Sequence, residues 1–314
     1  MRTRSIGRTL LAAAATGILA VTTVGCAMLP ERPDAQRDPE TSSPATTPRE
    51  TSEAPHGDTL LLRALGEITG PTDGYVEFGD AAALRELSGG SFAGTWGGVR
   101  GMGMSSIASY WLQLEDTIGI DPDAADYAIA VAQPPGVKTL IVGGQDETAI
   151  REAAEAAGWQ GDPVLSSELN MAQPLSVSVA DISPAGSDVL LAGRGAESGR
   201  GPASDEEPIR ELAACLGDVV AAMFSDGVAI GVRADADGAP VAVYCLAGDD
   251  RDAADLEEAF AGDSPYTGQP YADLFPEREF EVADGHVRAE LSGGDPADRI
   301  FALLIRRDLP GVGA

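Results

Sequence analysis

Side chains that commonly carry catalysis are scarce in this sequence. Histidine, the most frequent general base near neutral pH, occurs only at His56 and His286, and neither residue stands in a catalytic pattern. The sequence has no G-x-S-x-G nucleophile elbow, no HExxH and no CxxC. We therefore predict no catalytic residue, no metal site and no cofactor.

The 50 acidic residues do not by themselves define a site, because pairs of carboxylates are expected by chance at this abundance. The segment Asp235-Ala236-Asp237-Gly238 resembles the start of a calcium loop. Its glycine comes too early, however, and the later bidentate glutamate is missing, so a hairpin turn is the favoured interpretation. A hydrolase that uses carboxylates is retained as an alternative function.

A glycine-rich stretch over residues 89–104 is the least ordinary part of the chain. It lacks the Lys-Ser/Thr ending of a phosphate loop. Large adaptable side chains stand within or just after it, and such side chains often anchor a ligand or partner. We name Trp96, Met102, Met104 and Trp111 as candidates for this role. The alternative is a flexible connection with no binding function.

The first 25 residues have the order of zones found in secretory signals. The start is basic and carries no acidic residue, with Arg2, Arg4 and Arg8. An apolar run from Leu10 to Val24 follows, about fifteen residues long, which is shorter than the ~20 residues that span a membrane. We expect residues 1–25 to be removed on export.

The end of this signal, Thr23-Val24-Gly25-Cys26, resembles the lipobox of bacterial lipoproteins, here of an actinobacterial type. The resemblance implies a diacylglycerol on the Cys26 thiol and a new N-terminus at that cysteine. Thr23 departs from the pattern, where leucine is usual. Two acyl chains anchor a protein durably, so the resemblance implies a location on the extracytoplasmic face of the cell membrane. The alternative is an uncleaved hydrophobic anchor.

Cys215 and Cys245 are the other two cysteines of the chain. An exported protein folds under oxidising conditions, and two cysteines suffice for one disulfide. We predict a bridge between them, with two buried free thiols as the alternative.

The charge balance excludes one class of partner. The formal net charge is −29, and Lys138 is the only lysine. Nucleic-acid binding depends on basic residues that neutralise phosphates, so we expect no nucleic-acid partner. The same negative charge opposes direct adsorption to an anionic membrane, so the lipid on Cys26 is the expected membrane contact.

Composition divides the chain into four segments. The signal over residues 1–25 precedes a spacer over 26–57 that is rich in Pro, Thr, Ser and Glu and has too few apolar residues for a core. Residues 58–187 and 188–314 are then predicted to form two folded modules. A polyproline-like spacer of this length would reach at most on the order of 90 Å.

Hydrophobic periodicity predicts alternating helices and strands in the folded region. Predicted strands are 75–79, 127–132, 137–142, 175–179, 189–192, 228–232, 241–246 and 279–282. Predicted helices are 61–68 capped by Asp58, 81–87, 105–118, a helix after Asp146, 208–223, a helix after Asp250, and 296–307.

The order of predicted helices and strands recurs at a spacing of about 104 residues along the chain. The helix at 105–118 is matched by that at 208–223, and Val179-Ala180-Asp181 by Val282-Ala283-Asp284. We predict an α+β protein of two duplicated split-βαβ (ferredoxin-like) modules, with antiparallel sheets covered by helices. One continuous sheet built from all the strands is the alternative.

The favoured function is a non-catalytic binding or accessory lipoprotein of the cell envelope, with an envelope protein or a small ligand as partner. A passive structural protein of the envelope is the third hypothesis. A clustered carboxylate pair with a raised pKa in a deep pocket would separate the hydrolase hypothesis from the binding one, and the specific binding of any molecule would separate the binding hypothesis from the structural one.

Overall fold

The computed structural model describes residues 59–70, 74–133, 136–196 and 201–312. The predicted signal, Cys26 and the spacer lie outside these residues. Within the described part of the chain, no helix is long and apolar enough to cross a membrane.

One antiparallel sheet of eleven strands organises the described residues. The strands are β1 (Tyr75–Gly79), β2 (Tyr127–Gln133), β3 (Gly136–Val142), β4 (Leu165–Ser166), β5 (Asp181–Ala185), β6 (Asp188–Ala192), β7 (Ala221–Ser225), β8 (Val228–Ala234), β9 (Pro240–Ala247), β10 (Glu277–Ala283) and β11 (His286–Ser292). Their order across the sheet is β10-β11-β9-β8-β7-β1-β2-β3-β6-β5-β4. The protein is therefore α+β, and its strands form the single continuous sheet that stood as the alternative.

Helices cover both faces of this sheet. They are α1 (Leu60–Glu67), α2 (Ala81–Leu87), α3 (Leu114–Ile118), α4 (Glu147–Ala157), α5 (Leu175–Ser178), α6 (Glu207–Leu216), α7 (Asp250–Phe260), α8 (Tyr271–Leu274) and α9 (Pro296–Ile305). Side-chain caps fix several starts, because they satisfy amides that have no partner inside the helix. Asp80 accepts from Ala83 N, and Asp146 accepts from Thr148 N and Ala149 N.

Strand β1 at the centre of the sheet sends alternate side chains to opposite faces, as strand geometry requires. Val76 and Phe78 are fully buried in a core with apolar residues of α1 and α6. Glu77 lies between them in sequence and therefore points to the other face. That face carries two further cores, one under α7, α8 and α9 and one under α3, α4 and α5.

The structure confirms most of the strands predicted from alternation, including the pairs β2 with β3 and β8 with β9. The predicted strand at Leu175–Val179 is wrong, since this segment forms the short helix α5. Five alternating residues fit both a strand and one helical turn. Helix α1 is capped by Thr59, whose Oγ1 accepts from Leu62 N, whereas the predicted cap Asp58 lies outside the described residues.

Two of the predicted α-helices are shorter in the structure than the sequence indicates. Ser105–Gln113 is a 3-10 helix, and only Leu114–Ile118 is α-helical. The helix predicted over 208–223 ends at Leu216, and Met223 belongs to β7. Gly217 at its C-cap has a φ of 71°, a conformation that glycine adopts readily and that ends the helix there.

The split-βαβ order is not found in the second half. Between α6 and α7 the second half has three strands, β7, β8 and β9, where the pattern has two. The matched tripeptides also differ in place, since Val179 precedes β5 whereas Val282 lies near the end of β10. The predicted equivalence of 105–118 with 208–223 is wrong for the same reason, because the two segments differ in type and in position relative to the strands.

Candidate functional site

A cavity of about 380 Å³ opens over the middle of the sheet, on the face to which Glu77 points. Its floor is β1 and β7, one wall is the end of α9, and another is the start of the 3-10 helix. The lining residues are Tyr75, Glu77, Ser105, Met223, Ser225, Asp226, Leu304, Ile305 and Arg307. Its size falls in the usual range for small-molecule sites, roughly 300–1,000 Å³.

The strand register explains why these side chains meet. Tyr75 stands opposite Ser225 and Glu77 opposite Met223 in the antiparallel pair β1 and β7. Directly opposed residues project from the same face of a sheet. The two strands come from distant parts of the chain, so this arrangement depends on the tertiary fold.

Glu77 is the most unusual residue of the cavity, because its exposed fraction is 0% although it carries a carboxyl group. Gly103 N donates to its Oε1 at 2.8 Å, and the Ser105 hydroxyl donates to its Oε2. Burial raises the pKa of Glu77, and the hydrogen bonds from Ser105 and Gly103 oppose that shift. A buried carboxyl is tolerated only when it is hydrogen-bonded in this way.

Gly103 allows the chain to reach Glu77. Its φ is +80°, and a Cβ at this position would lie 2.3 Å from the carbonyl oxygen of Ala128. No other residue fits so close to the neighbouring strand without displacement of the backbone. The glycine-rich stretch therefore packs tightly at this point.

The wall and mouth of the cavity differ in polarity. Met223 and Leu304 supply apolar surface, whereas Arg307 and Asp226 form an ion pair at the rim, with Nε and Oδ2 3.4 Å apart. Burial, with Glu77 as the second cause, raises the pKa of Tyr75, so its hydroxyl remains a hydrogen-bond donor at neutral pH. The cavity thus offers polar groups at its floor and rim and apolar groups between them.

No family model matches the chain, and no significant match is found among curated proteins or solved structures. The assignment of a function therefore rests on the residues themselves.

Three of the four aromatic and methionine candidates lie in the core. The exposed fractions of Trp96, Met102 and Met104 are 5%, 8% and 0%, and Trp96 Nε1 donates to the carbonyl of Gly238 at 3.1 Å. They help to fold the glycine-rich stretch onto the sheet, and their side chains are buried instead of being presented to a partner. The structure places none of them in the wall of the central cavity.

Trp111 is only partly buried and belongs to a small surface cluster. Its ring meets Phe92 edge to face, with centroids 5.2 Å apart. The Arg100 guanidinium lies 4.3 Å from the Phe92 ring centroid and pairs with Asp123. Of the four candidates, Trp111 alone is accessible to a partner without rearrangement.

Cys215 and Cys245 are joined as predicted, with their sulfur atoms 2.09 Å apart. The bridge fastens α6 to β9 within the core under α1 and α6. The lipidation site predicted at Cys26 lies outside the described residues.

Two further residues considered from the sequence, Asp235 and His286, lie at turns between strands. Asp235 closes the β8–β9 turn by accepting from Asp237 N and Ala239 N, as the hairpin interpretation predicts. His286 opens β11 after a turn at Asp284 and Gly285. Among the described residues, no group of three or more His, Cys, Asp or Glu side chains is arranged to hold a metal.

Replacing Glu77 by glutamine should remove a pH dependence of stability. Because the folded-state pKa of Glu77 is raised, its favourable contribution is complete below the unfolded-state pKa and is lost as pH rises through the folded-state pKa. We expect wild type to lose stability relative to Glu77→Gln across that window, measured by urea unfolding at several pH values. Parallel profiles for the two proteins would contradict the argument.

Two controls separate charge from packing. Glu77→Ala leaves the Gly103 amide unpaired, which should cost about 1–3 kcal/mol relative to Glu77→Gln at every pH. Glu115→Gln changes an exposed glutamate and should leave the pH profile as in wild type.

Proposed function

We propose that this chain is an extracytoplasmic lipoprotein, anchored to the cell membrane by lipid on Cys26, whose folded part binds a small ligand without transforming it. The signal and lipobox-like sequence support the anchor and its location. The observation that carries the binding function is the cavity over β1 and β7 with the buried Glu77 in its floor.

The cavity suits a small molecule that has both apolar and polar parts. Met223 and Leu304 can pack against an apolar group, while Tyr75 and the Arg307–Asp226 pair can hydrogen-bond to polar groups. Glu77 holds Gly103 and Ser105 in place and so fixes the shape of the floor. A binding site formed in advance in this way loses less entropy when the ligand binds.

The hydrolase alternative receives weaker support. A carboxylate pair must present one group as acid and the other as base or nucleophile to the same bond. Glu77 is fully covered and already accepts two hydrogen bonds, and Asp226 is paired with Arg307 at the rim. The passive structural hypothesis gives no reason for an open cavity of about 380 Å³ above β1 and β7.

We further propose that the folded region arose by internal duplication, with other boundaries than the sequence indicated. Each unit would contain a helix, three sequential strands, a helix pair and a final hairpin, from α1 to β6 and from α6 to β11. Strands β1 and β7, which pair antiparallel at the centre, are the first strands of the two units. Helices α2 and α3 and strand β4 would be insertions in the first unit, and α9 an addition to the second.

Filling the cavity should remove the ligand. Ser225→Phe places an aromatic ring opposite Tyr75, on the floor. We expect organic extracts of the purified variant to contain at least about tenfold less of a compound that copurifies with wild type, equivalent to 1.4 kcal/mol of binding. Mass spectrometry of the extracts measures this difference.

Ser187→Phe is the matched control, because Ser187 is exposed in the β5–β6 turn, outside the cavity. It should retain the compound at the wild-type level. Equal recovery from the Ser225→Phe and Ser187→Phe variants would rule out the cavity as the binding site. Uptake of labelled fatty acid by a Cys26→Ala variant would separately contradict the proposed anchor.

A further inference from the structure

A second cavity, of about 580 Å³, lies on the face of the sheet that α1 and α6 cover, near the edge strand β10. One wall is α6, which contributes Glu211 and Cys215. The other wall is the hairpin of β10 and β11, which contributes His286. The cavity shares no residue with the central cavity, so binding here does not depend on the proposed function.

The strand register brings the hairpin side chains of this wall to one face. Ala283 stands opposite His286, and Glu281 stands opposite Arg288. Arg288 in turn stands opposite Cys245 of β9, whose side chain lies in the core under α1 and α6. Since opposed residues share a face and alternate residues return to it, His286 and Arg288 project toward α6.

His286 presents an unpaired ring nitrogen to this cavity. Its exposed fraction is 8%, and its Nδ1 lies 3.1 Å from the carbonyl oxygen of Asp284. A carbonyl can only accept, so Nδ1 carries the proton, and in the neutral imidazole Nε2 is then an acceptor. Within the described part of the chain nothing hydrogen-bonds to Nε2, and Nε2 is not among the unpaired atoms there that are closed to solvent. A molecule in the cavity can therefore reach it.

The side chains that line the cavity leave an excess of two negative charges. Glu211, Glu281 and Asp284 are acidic, and Arg288 is the only basic residue of the lining. The Arg288 guanidinium is already engaged, with Nη1 3.0 Å from Glu281 Oε1 and Nη2 2.7 Å from Glu290 Oε1. Among the described residues, no cation pairs with Glu211 or with Asp284.

These groups match a ligand that donates hydrogen bonds and carries positive charge. Carboxylates and the Nε2 of a neutral imidazole accept hydrogen bonds but have none to donate. The excess of negative charge opposes an anion. A metal ion is disfavoured, because the described residues include no group of three or more His, Cys, Asp or Glu side chains arranged to hold one. An ammonium group carries its own donors and needs no such close set of ligands.

We propose that this cavity binds an aliphatic diamine in its doubly protonated form, with 1,4-diaminobutane as the simplest example. One ammonium group donates to His286 Nε2 and pairs with Asp284 on the hairpin wall. The other pairs with Glu211 on the α6 wall. The methylene chain between them lies against Ala214 and Ala283, which also line the cavity. The two ammonium groups balance the two excess negative charges.

A nuclear magnetic resonance titration of the full chain in non-ionic detergent tests the proposal, because only two histidines give ring C–H signals. His56→Gln assigns the signals by loss. At about pH 8 histidine side chains are normally neutral and aliphatic amines are charged. Sodium chloride at about 0.15 M limits attraction to the net charge of −29, since the Debye length is then about 8 Å. We expect 1,4-diaminobutane, added to roughly 20 mM, to shift the His286 signals to saturation and to leave those of His56 unchanged.

Variants that keep the shape of the cavity test each wall. Glu211→Gln/Asp284→Asn should raise the concentration at half-saturation by about tenfold, the combined effect of two exposed ion pairs. Asparagine tolerates the φ of 52° at residue 284. Calorimetry of His286→Phe, which loses the acceptor, should show a Kd at least about tenfold higher than that of wild type. Glu258→Gln, on the exposed side of α7, is the matched control and should bind like wild type.

Several results would overturn the proposal. One is that 1,4-diaminobutane does not shift the His286 signals. Another is that Glu211→Gln/Asp284→Asn or His286→Phe binds the diamine as tightly as wild type does. Butylamine, which carries a single ammonium group, should require a concentration at least about threefold higher for the same shift. An equal or stronger effect of butylamine or of calcium chloride would contradict the assignment of a diamine.

Discussion

Phe260→Ala is expected to lower the free energy of unfolding by about 3–5 kcal/mol, the usual cost of removing a buried phenyl ring. Phe260 ends α7 with an exposed fraction of 0%. Four aromatic rings surround it, those of Tyr271, Phe280, Tyr244 and Phe275, at centroid distances of 5.1, 5.8, 6.3 and 6.5 Å. The surrounding rings cannot easily move into the space left by the phenyl ring, so that space would remain empty. Urea unfolding monitored by circular dichroism measures the loss.

Tyr266→Ala is the control for this prediction. Tyr266 is 69% exposed and its ring contacts the Arg306 guanidinium at 5.5 Å, so its removal should cost about 0.5–1 kcal/mol at most. A similar loss in the two variants would show that the aromatic cluster is not a main source of stability.

Loss of the disulfide should have an effect of similar size. Cys215 and Cys245 are 30 residues apart, and a loop of that length predicts about 3.5–4 kcal/mol from the entropy of the unfolded chain. We expect the Cys215→Ala/Cys245→Ala variant to be destabilised by this amount. Reductant should have no further effect on it, whereas it should destabilise wild type to the same extent.

The bridge itself is checked by a thiol assay. Denatured, unreduced wild type should show no reactive thiol from Cys215 or Cys245. Two free thiols at these positions would contradict both the bridge and the stability prediction. Because Cys245 is fully buried in the core, the assay requires complete denaturation.

The sequence predicted those helices and strands that are determined by residues close together in the chain. Asp146 before an apolar helical stripe predicted α4, and alternating β-branched residues predicted β3 and β8. The sequence did not predict how the strands combine. The pairing of β1 with β7 joins segments about 145 residues apart, and the sequence of neither strand indicates with which other strand it pairs.

The conformation of the glycine-rich stretch does not follow from its composition. Many glycines suggested flexibility, yet Gly103 is needed because β2 passes within contact distance of it. The same composition fits a mobile loop and a tightly packed one. The sequence offers Trp96 and Met102 as anchors for a ligand or partner because their side chains are large and adaptable, although they are buried under the α7–α9 side of the sheet.

Glu77 was not singled out because it is one of 50 acidic residues. A signal was present, since Glu77 stands between Val76 and Phe78 in a short strand of otherwise apolar or small residues. Alternation assigns such a residue to a solvent-facing side. Only the tertiary structure shows that the loop at Gly103 and Ser105 covers that side.

Native mass spectrometry of the full chain, extracted from membranes in mild detergent, tests the central proposal most directly. We expect a chain that begins at Cys26, carries the mass of a diacylglycerol and retains a small ligand in wild type and Ser187→Phe but not in Ser225→Phe. A chain of unmodified mass would contradict the anchor. A lipidated chain that retains nothing in wild type would contradict the binding function.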